Sequence, residues 1–331
     1  MHRILVTGAL GQIGSELVPA LRSLADVEHV VASDIRMPTT GVADGPFEYV
    51  DCTHLRQIES VVRHDRIDTI YHLAALLSAV AEERPRTAWD SIMGGLYRVL
   101  EVARQNGCAV FHPSSIGAFG PTTPKHETPQ DTIQRPTTMY GVTKVSAELL
   151  CDYYASRFGL DTRGLRLPGL ISALTPPGGG TTDYAVEAFS HAVRHRRYTC
   201  YLRADTRLDM MYMPDAVGAM IDVMQADPSN LRHRNAFNVT AMSITPSELA
   251  TAIRSHLPDF VIDYRVDPVR QAIADSWPQS VDDQAARDEW GWRPRFDLTS
   301  TTADMIRRLT RRESDSAGQA EHAEPGGTDA G

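Results

Sequence analysis

The stretch GALGQIG, Gly8 to Gly14, constrains this chain more than any other. It follows the apolar run Ile4, Leu5, Val6 and precedes a helical pattern, so it reads as strand, tight turn and helix N-terminus. Three glycines at this spacing have separate jobs. Gly8 makes the turn, Gly11 admits the backbone to a diphosphate, and Gly14 lets helix and strand pack closely. The unpaired N–H groups of the helix start then hold the anion. A glycine-rich turn also occurs for packing alone, so the surrounding residues decide.

A second apolar strand, VVASDIR, ends in Asp34 at the distance where a ribose-binding carboxylate belongs. An acidic side chain accepts hydrogen bonds from both ribose hydroxyls and repels a 2′-phosphate, which favours NAD over NADP. Arg36, two residues on, works against that preference because an arginine accommodates the extra phosphate. The alternative for Asp34 is a strand-end turn residue.

From Met1 to Ile171, short apolar runs alternate with amphipathic helical stretches: ILVTG, HVVASD, FEYVD, TIYHLAA, AVFHPSS and TRGLRLPG. Such alternation predicts an α/β fold, a Rossmann-type doubly wound parallel sheet with a smaller C-terminal substrate lobe. Residues 1–172 form the NAD-binding domain, with 216–240 returning to it; 173–215 and 241–312 form the lobe. Asp51 closes FEYVD and reads either as a contact to the adenine end of a cofactor or as the N-cap of the next helix. His72, inside an apolar strand, reads as a hydrogen-bonded core residue, while Ala74 and Ala75 leave room for a flat cofactor.

The 331 residues carry a formal net charge of -9, which argues against nucleic-acid or anionic-membrane binding and makes RHRR near residue 194 a solvated face. No stretch reads as a secretory signal or a membrane span. Cys52, Cys108, Cys151 and Cys200 are scattered, which suits reduced thiols in the cytoplasm and offers no metal site.

Beyond Ile171 the run TPPGGGTTDYA reads as a loop, followed by a helix over 184–195. Asp215 is a candidate N-cap for the helix containing Val217 to Met224, and Thr245 with Glu248 forms a capping box. Met210, Met211 and Met213 read as core. Trp277, Trp290 and Trp292 supply apolar area to the small lobe. Residues 313–331 are rich in Gly, Ala, Ser and Glu without an apolar face and read as a disordered tail.

The chemistry concentrates in YGVTK, where Tyr140 and Lys144 lie one helical turn apart. Using a tyrosine as a base near neutrality requires roughly 4 kcal/mol of phenolate stabilisation. Lys144 and the positive nicotinamide ring are the candidates to supply it. Ser114 and Ser115 end the strand AVFHPSS and offer a hydroxyl to orient a substrate oxygen. A bare YxxxK arises by chance on surface helices; behind a dinucleotide fingerprint and a Ser-Ser strand end it marks an oxidoreductase.

TGALGQIG, Asp34, HLAA, Ser115 with Tyr140 and Lys144, and WGWRP together resemble the extended short-chain dehydrogenase/reductase family. PSSIGAFGP, RPTTMYGVTK, PGGGTTDYA, MMYMPDA and IADSWPQSVDD look like the L-threonine 3-dehydrogenases of that family. The resemblance implies NAD as cofactor and oxidation of L-threonine to 2-amino-3-ketobutyrate, which loses carbon dioxide or is cleaved to glycine and acetyl-CoA by a partner ligase. It makes Tyr140 the base, with Lys144 and Ser115 in support. For the cofactor it implies Gly8, Gly11, Gln12, Ile13 and Gly14 on the loop, with Asp34, Ile35 and Arg36 at the ribose. Asp51, Cys52, Leu73, Ala74, Ala75 and Leu167, besides Tyr140 and Lys144, complete that set.

For the substrate the resemblance implies Ser78, Ser115, Tyr140, Gly180, Thr181, Thr182, Asp183 and Trp277, and for the assembly a homodimer. The alternative for TTDYA is a helix cap. The chain departs from the family at Ile92, which replaces a usual Asn, and at Ala81, where Gly is usual. A nucleotide-sugar epimerase or dehydratase, and a non-catalytic NAD-binding sensor, stand as the competing readings.

Overall fold

A computed structural model of the chain describes residues 1–38, 44–176 and 178–321, with side chains as far as residue 315. The first half alternates as the periodicity predicts. Strands β1 (Arg3–Thr7), β2 (His29–Asp34), β3 (Phe47–Tyr49), β4 (Thr69–His72), β5 (Ala109–Phe111), β6 (Ser114–Ser115) and β7 (Thr162–Arg163) are interleaved with helices. These are α1 (Gly14–Arg22), α2 (Leu55–His64), α3 (Ser78–Glu83), α4 (Pro85–Asn106) and α5 (Met139–Phe158).

The main sheet has the order β3-β2-β1-β4-β5-β7 with every pairing parallel. The strand order reverses between β1 and β4, which opens a crevice at their carboxyl ends where a dinucleotide lies in such sheets. Strands β8 (Leu165–Leu167) and β9 (Gly169–Ile171) then lead out of the Rossmann domain. They are followed by α6 (Tyr184–His195), β10 (Arg197–Cys200), β11 (Leu208–Tyr212), α7 (Met213–Gln225), β12 (Phe237–Asn238), β13 (Met242–Ile244) and α8 (Pro246–Arg254). The chain closes with β14 (Val261–Tyr264), α9 (Pro268–Ser276), α10 (Gln284–Trp290) and α11 (Leu298–Glu321). Three small sheets, β6-β8-β12, β9-β11-β13 and β10-β14, complete the architecture.

Apart from a core that packs α2, α4 and α5 on one face of the main sheet, two apolar cores separate the domain from the lobe. One joins Val6, Leu17 and Leu21 to Met220 and Val223 of α7, so α7 closes the Rossmann face although it lies late in the chain. The other gathers Tyr184, Phe189, Leu208, Leu249, Ile273 and Trp277. Met210 is buried in the lobe core and Met211 and Met213 in the Rossmann core. Thr245 and Glu248 form the reciprocal capping box that starts α8.

Several expectations are corrected by tertiary contacts. Trp292 is buried in the Rossmann core and Trp290 packs against it, so only Trp277 of the three serves the lobe. Asp215 lies inside the first turn of α7; its carboxylate accepts from the backbone of Arg295 at 3.0 Å and of Phe296 at 2.9 Å, clasping a distant segment. Asp51 does not cap α2, which has His54 at its N-cap; it accepts from the backbone and hydroxyl of Thr53 instead. The segment expected to be disordered from 313 continues α11 as helix to Glu321, while 322–331 lie outside the described residues.

Candidate active site

The glycine loop is closed by sterics. Gly8 has φ +71°, the left-handed region, and a Cβ there would stand 2.8 Å from the backbone N of Ala74. A Cβ at Gly14 would meet Ala9 Cα and Gly8 O at 2.6 Å, whereas at Gly11 the nearest atom would be Gly8 O at 3.2 Å. The close packing at Gly14 is therefore against the turn itself. Gln12 places a buried Nε2 with no partner on this loop, and Ile13 stands at the α1 N-cap. A cradle too tight for side chains, an orphaned amide and a helix N-terminus fit a diphosphate.

Asp34 reaches the loop from the end of β2. Its carboxylate accepts from Leu10 N at 3.1 Å, and from Arg36 through the backbone N and Nε at 3.1 Å each. Asp34 is buried while the Arg36 side chain is exposed, so the carboxylate is fixed and the guanidinium is able to leave. Ile35 is exposed beside them. Cys52 is buried near Thr7, and burial pushes its thiol up to about 12, which leaves it unreactive. Leu73 and Ala74 border Gly8, and Ala75 packs against the same apolar cluster of Ala81, Ala88 and Ile92 as Tyr140 does. Leu167 is buried opposite Ser115 in the β6–β8 ladder.

Tyr140 and Lys144 come from the first turns of α5, which Thr138 caps by accepting from Gly141 N at 3.1 Å. Ser115 comes from β6. A Cβ on Gly117 would stand 3.0 Å from the Tyr140 ring and 3.5 Å from Ser115 Oγ, so the two hydroxyl side chains converge over this glycine. Burial raises the Tyr140 phenol, and its hydrogen bond with Ser115 opposes that rise. Lys144 donates to Pro113 O at 2.7 Å and lies 5.4 Å from the Tyr140 ring centroid. Burial pulls Lys144 down to about 8, against Glu148 and Cys151, which favour the ammonium. Without cofactor the Tyr140 phenol is therefore raised rather than lowered.

His72 is buried, bonded to Thr7 Oγ1 at 2.8 Å, and pushed down to about 3 by burial and by Lys144. It is a neutral wall, with His112 stacked on it at 5.5 Å. Ile92 is fully buried with Ala81 and Ala88 in a cluster against which Tyr140 packs. The position where the family's Asn is usual is thus apolar here.

Ser78 and Thr181, far apart in sequence, meet with their hydroxyl oxygens 3.4 Å apart. Asp183 turns back on its own loop and accepts from Gly179 N at 2.9 Å and Gly180 N at 2.6 Å. Thr182 packs against Gly169. The Tyr201 hydroxyl donates to Gly180 O and Thr181 O, a brace that sequence reasoning missed because no motif marks it. Trp277 is buried with its indole Nε1 unpartnered. Pro177, within the predicted loop, lies outside the described residues. Among the described residues no group of three or more His, Cys, Asp or Glu side chains could hold a metal, and no helix is long and apolar enough to cross a membrane.

This fold and site define an NAD-dependent oxidoreductase on a Rossmann scaffold. Residues 4–240 match the NAD dependent epimerase/dehydratase family, and the chain belongs to it, among the extended short-chain dehydrogenases/reductases. An uncharacterized epimerase/dehydratase of Staphylococcus haemolyticus is 53% identical over 95% of this chain and 99% of its own. The L-threonine dehydrogenase of Clostridium difficile superposes with a TM-score of 0.92 at 53% identity, covering 94% of this chain and 98% of that one. The L-threonine dehydrogenase of Cupriavidus necator in its holo form gives 0.90 at 47% identity, over 93% and 99% of the two chains.

Proposed function

We propose that the protein oxidises L-threonine to 2-amino-3-ketobutyrate with NAD. The observation that carries this reading is the convergence of Ser115 and Tyr140 over Gly117; the Ser78–Thr181 pair offers further hydroxyls. Similarity to two L-threonine dehydrogenases at about half identity supports it.

Bound NAD supplies the hydride acceptor and a positive ring. Ser115 donates to the substrate's hydroxyl oxygen and orients it, while Tyr140 takes the hydroxyl proton. Lys144 holds the nicotinamide ribose and adds positive charge below the tyrosine. Ser78, Thr181 and Thr182 grip the amino and carboxylate groups, with Asp183 holding their loop through the amides of Gly179 and Gly180 and Trp277 excluding water. The product is a β-keto acid, so an enzyme that decarboxylates it or cleaves it with coenzyme A to glycine and acetyl-CoA is the implied functional partner. Four buried free cysteines suit work in the reducing cytoplasm.

We also propose a homodimer through α4 and α5. Both helices expose large apolar side chains, Trp89 and Tyr97 on one, Val142, Leu149 and Tyr153 on the other. Sedimentation at micromolar concentration tests it; Leu149→Arg is expected to give a folded monomer.

The experiment for the activity is NADH formation from NAD and L-threonine at mildly alkaline pH. Turnover establishes the reading. NAD binding without turnover, with protection against heat by a uridine-diphosphate sugar, transfers the assignment to the epimerase/dehydratase activity that names the staphylococcal relative.

A further inference from the structure

We propose that Glu148 is a positioning residue of this site: one buried carboxylate that aligns the Ser115 strand through Ser114 and serves as the counter-charge of Lys144. The inference rests on the reading of Tyr140, Lys144 and Ser115 given above.

Spacing is the first observation. Tyr140, Lys144 and Glu148 follow one another at four-residue intervals on α5, so the carboxylate stands one turn behind the lysine on the same face. Lys144 and Glu148 are both buried, at 3% and 4% exposure, so water does not screen the pair.

The second observation is what the carboxylate holds. Ser114 Oγ donates to Glu148 Oε1. Arg166 lies directly opposite Ser114 in the β6–β8 ladder and forks onto the same carboxylate, Nε to Oε1 at 3.1 Å and Nη2 to Oε2 at 2.8 Å. Gln134 Nε2 donates to Oε2 at 2.8 Å. Four donors on two oxygens leave the group little freedom. Successive side chains of a strand point to opposite faces, so anchoring Ser114 on one face fixes the direction of Ser115 on the other.

The third is the charge around Lys144. Tyr140 lies above it on α5 and Cys151 below; the neutral imidazoles of His72 and His112 face it from β4 and from the end of β5. Pro113 O accepts its N–H, and Arg166 stands on the far side of Glu148. Glu148 is the carboxylate that favours the ammonium, against a burial that discharges it.

The test is NAD binding by calorimetry from pH 6 to 10, for the wild type, Glu148→Gln and Ser114→Ala, with turnover measured alongside. In the wild type, affinity falls as Lys144 loses its proton. Glu148→Gln is expected to move that fall toward lower pH by about one unit. Ser114→Ala is expected to leave the fall in place and to lower kcat about tenfold with KM unchanged. A folded Glu148→Gln with an unmoved fall overturns the counter-charge role, and a Ser114→Ala with wild-type kcat overturns the alignment role. If Glu148→Gln does not fold, Glu148→Asp keeps Arg166 paired and draws the charge away from Lys144; its fall must move the same way, and one that stays overturns the proposal. A wild type that binds NAD but never oxidises threonine refutes the function reading and with it the alignment role, while the binding titration still decides on the counter-charge role of Glu148.

Discussion

Asp34 Oδ2 accepts the backbone N–H of Leu10 at 3.1 Å, which ties the end of β2 to the glycine loop and holds the carboxylate beside it. Arg36 folds onto the same carboxylate from the solvent side. Asp34→Asn therefore removes the charge that repels a 2′-phosphate and frees the guanidinium to meet one. The expected outcome is a rise of about tenfold or more in the ratio of NADP to NAD affinity, equivalent to about 1.4 kcal/mol. An unchanged ratio in a calorimetric titration of both cofactors counts against the discrimination placed on this residue.

Gly14 cannot carry a side chain, because a Cβ would overlap the Ala9 and Gly8 backbone at 2.6 Å. Gly14→Ala is expected to lose about 1–3 kcal/mol of stability, as overpacked sites do. Denaturant unfolding with and without saturating NAD measures it; the loss persists in the absence of cofactor because the clash belongs to the turn.

Tyr140→Phe keeps the ring and its packing against Ile92 while removing the proton acceptor. Turnover is expected to fall by about 10²–10⁴-fold, the range of general base catalysis, with NAD affinity within about twofold of wild type. A variant that retains a tenth of the activity would move the base elsewhere.

Ile92→Asn places an amide in the apolar cluster with Ala81 and Ala88, against which Met139 and Tyr140 pack. The expected result is a loss of about 1–3 kcal/mol in stability and no gain in kcat. Increased turnover would show that the apolar residue limits this enzyme.

His233 bridges Glu289 Oε1 at 2.6 Å and Asp131 Oδ2 at 3.2 Å. Burial opposes its charge, but the two carboxylates outweigh burial and raise its pKa above 6.5. A raised folded pKa stabilises below the unfolded value, and that contribution is lost as pH rises through the folded one. His233→Gln should therefore lower Tm more at pH 6 than at pH 9. Equal losses at both pH values would leave His233 a packing residue.

The sequence alone determined the local devices and, through their order, the sheet. GALGQIG, Asp34 and YGVTK work over a few residues, where backbone sterics and helical spacing fix the geometry, and the alternation of runs up to Ile171 left few topologies other than a doubly wound sheet. Thr245 and Glu248 were legible for the same reason.

Contacts between distant residues were decided only by the tertiary structure. Trp290 and Trp292 went to the Rossmann core because α10 packs on β12, and Asp215 clasps Arg295 and Phe296 because α7 returns beneath them. The helix beyond Arg312 is polar, with Arg194 to Glu313 at 2.7 Å among its contacts, so no apolar stripe announced it. The pairing of Ser78 with Thr181 needed two distant segments brought together, and that of Glu148 with Ser114 and Arg166 needed three. Side-chain chemistry is written along the chain, but which polar groups meet depends on where the apolar cores place their elements.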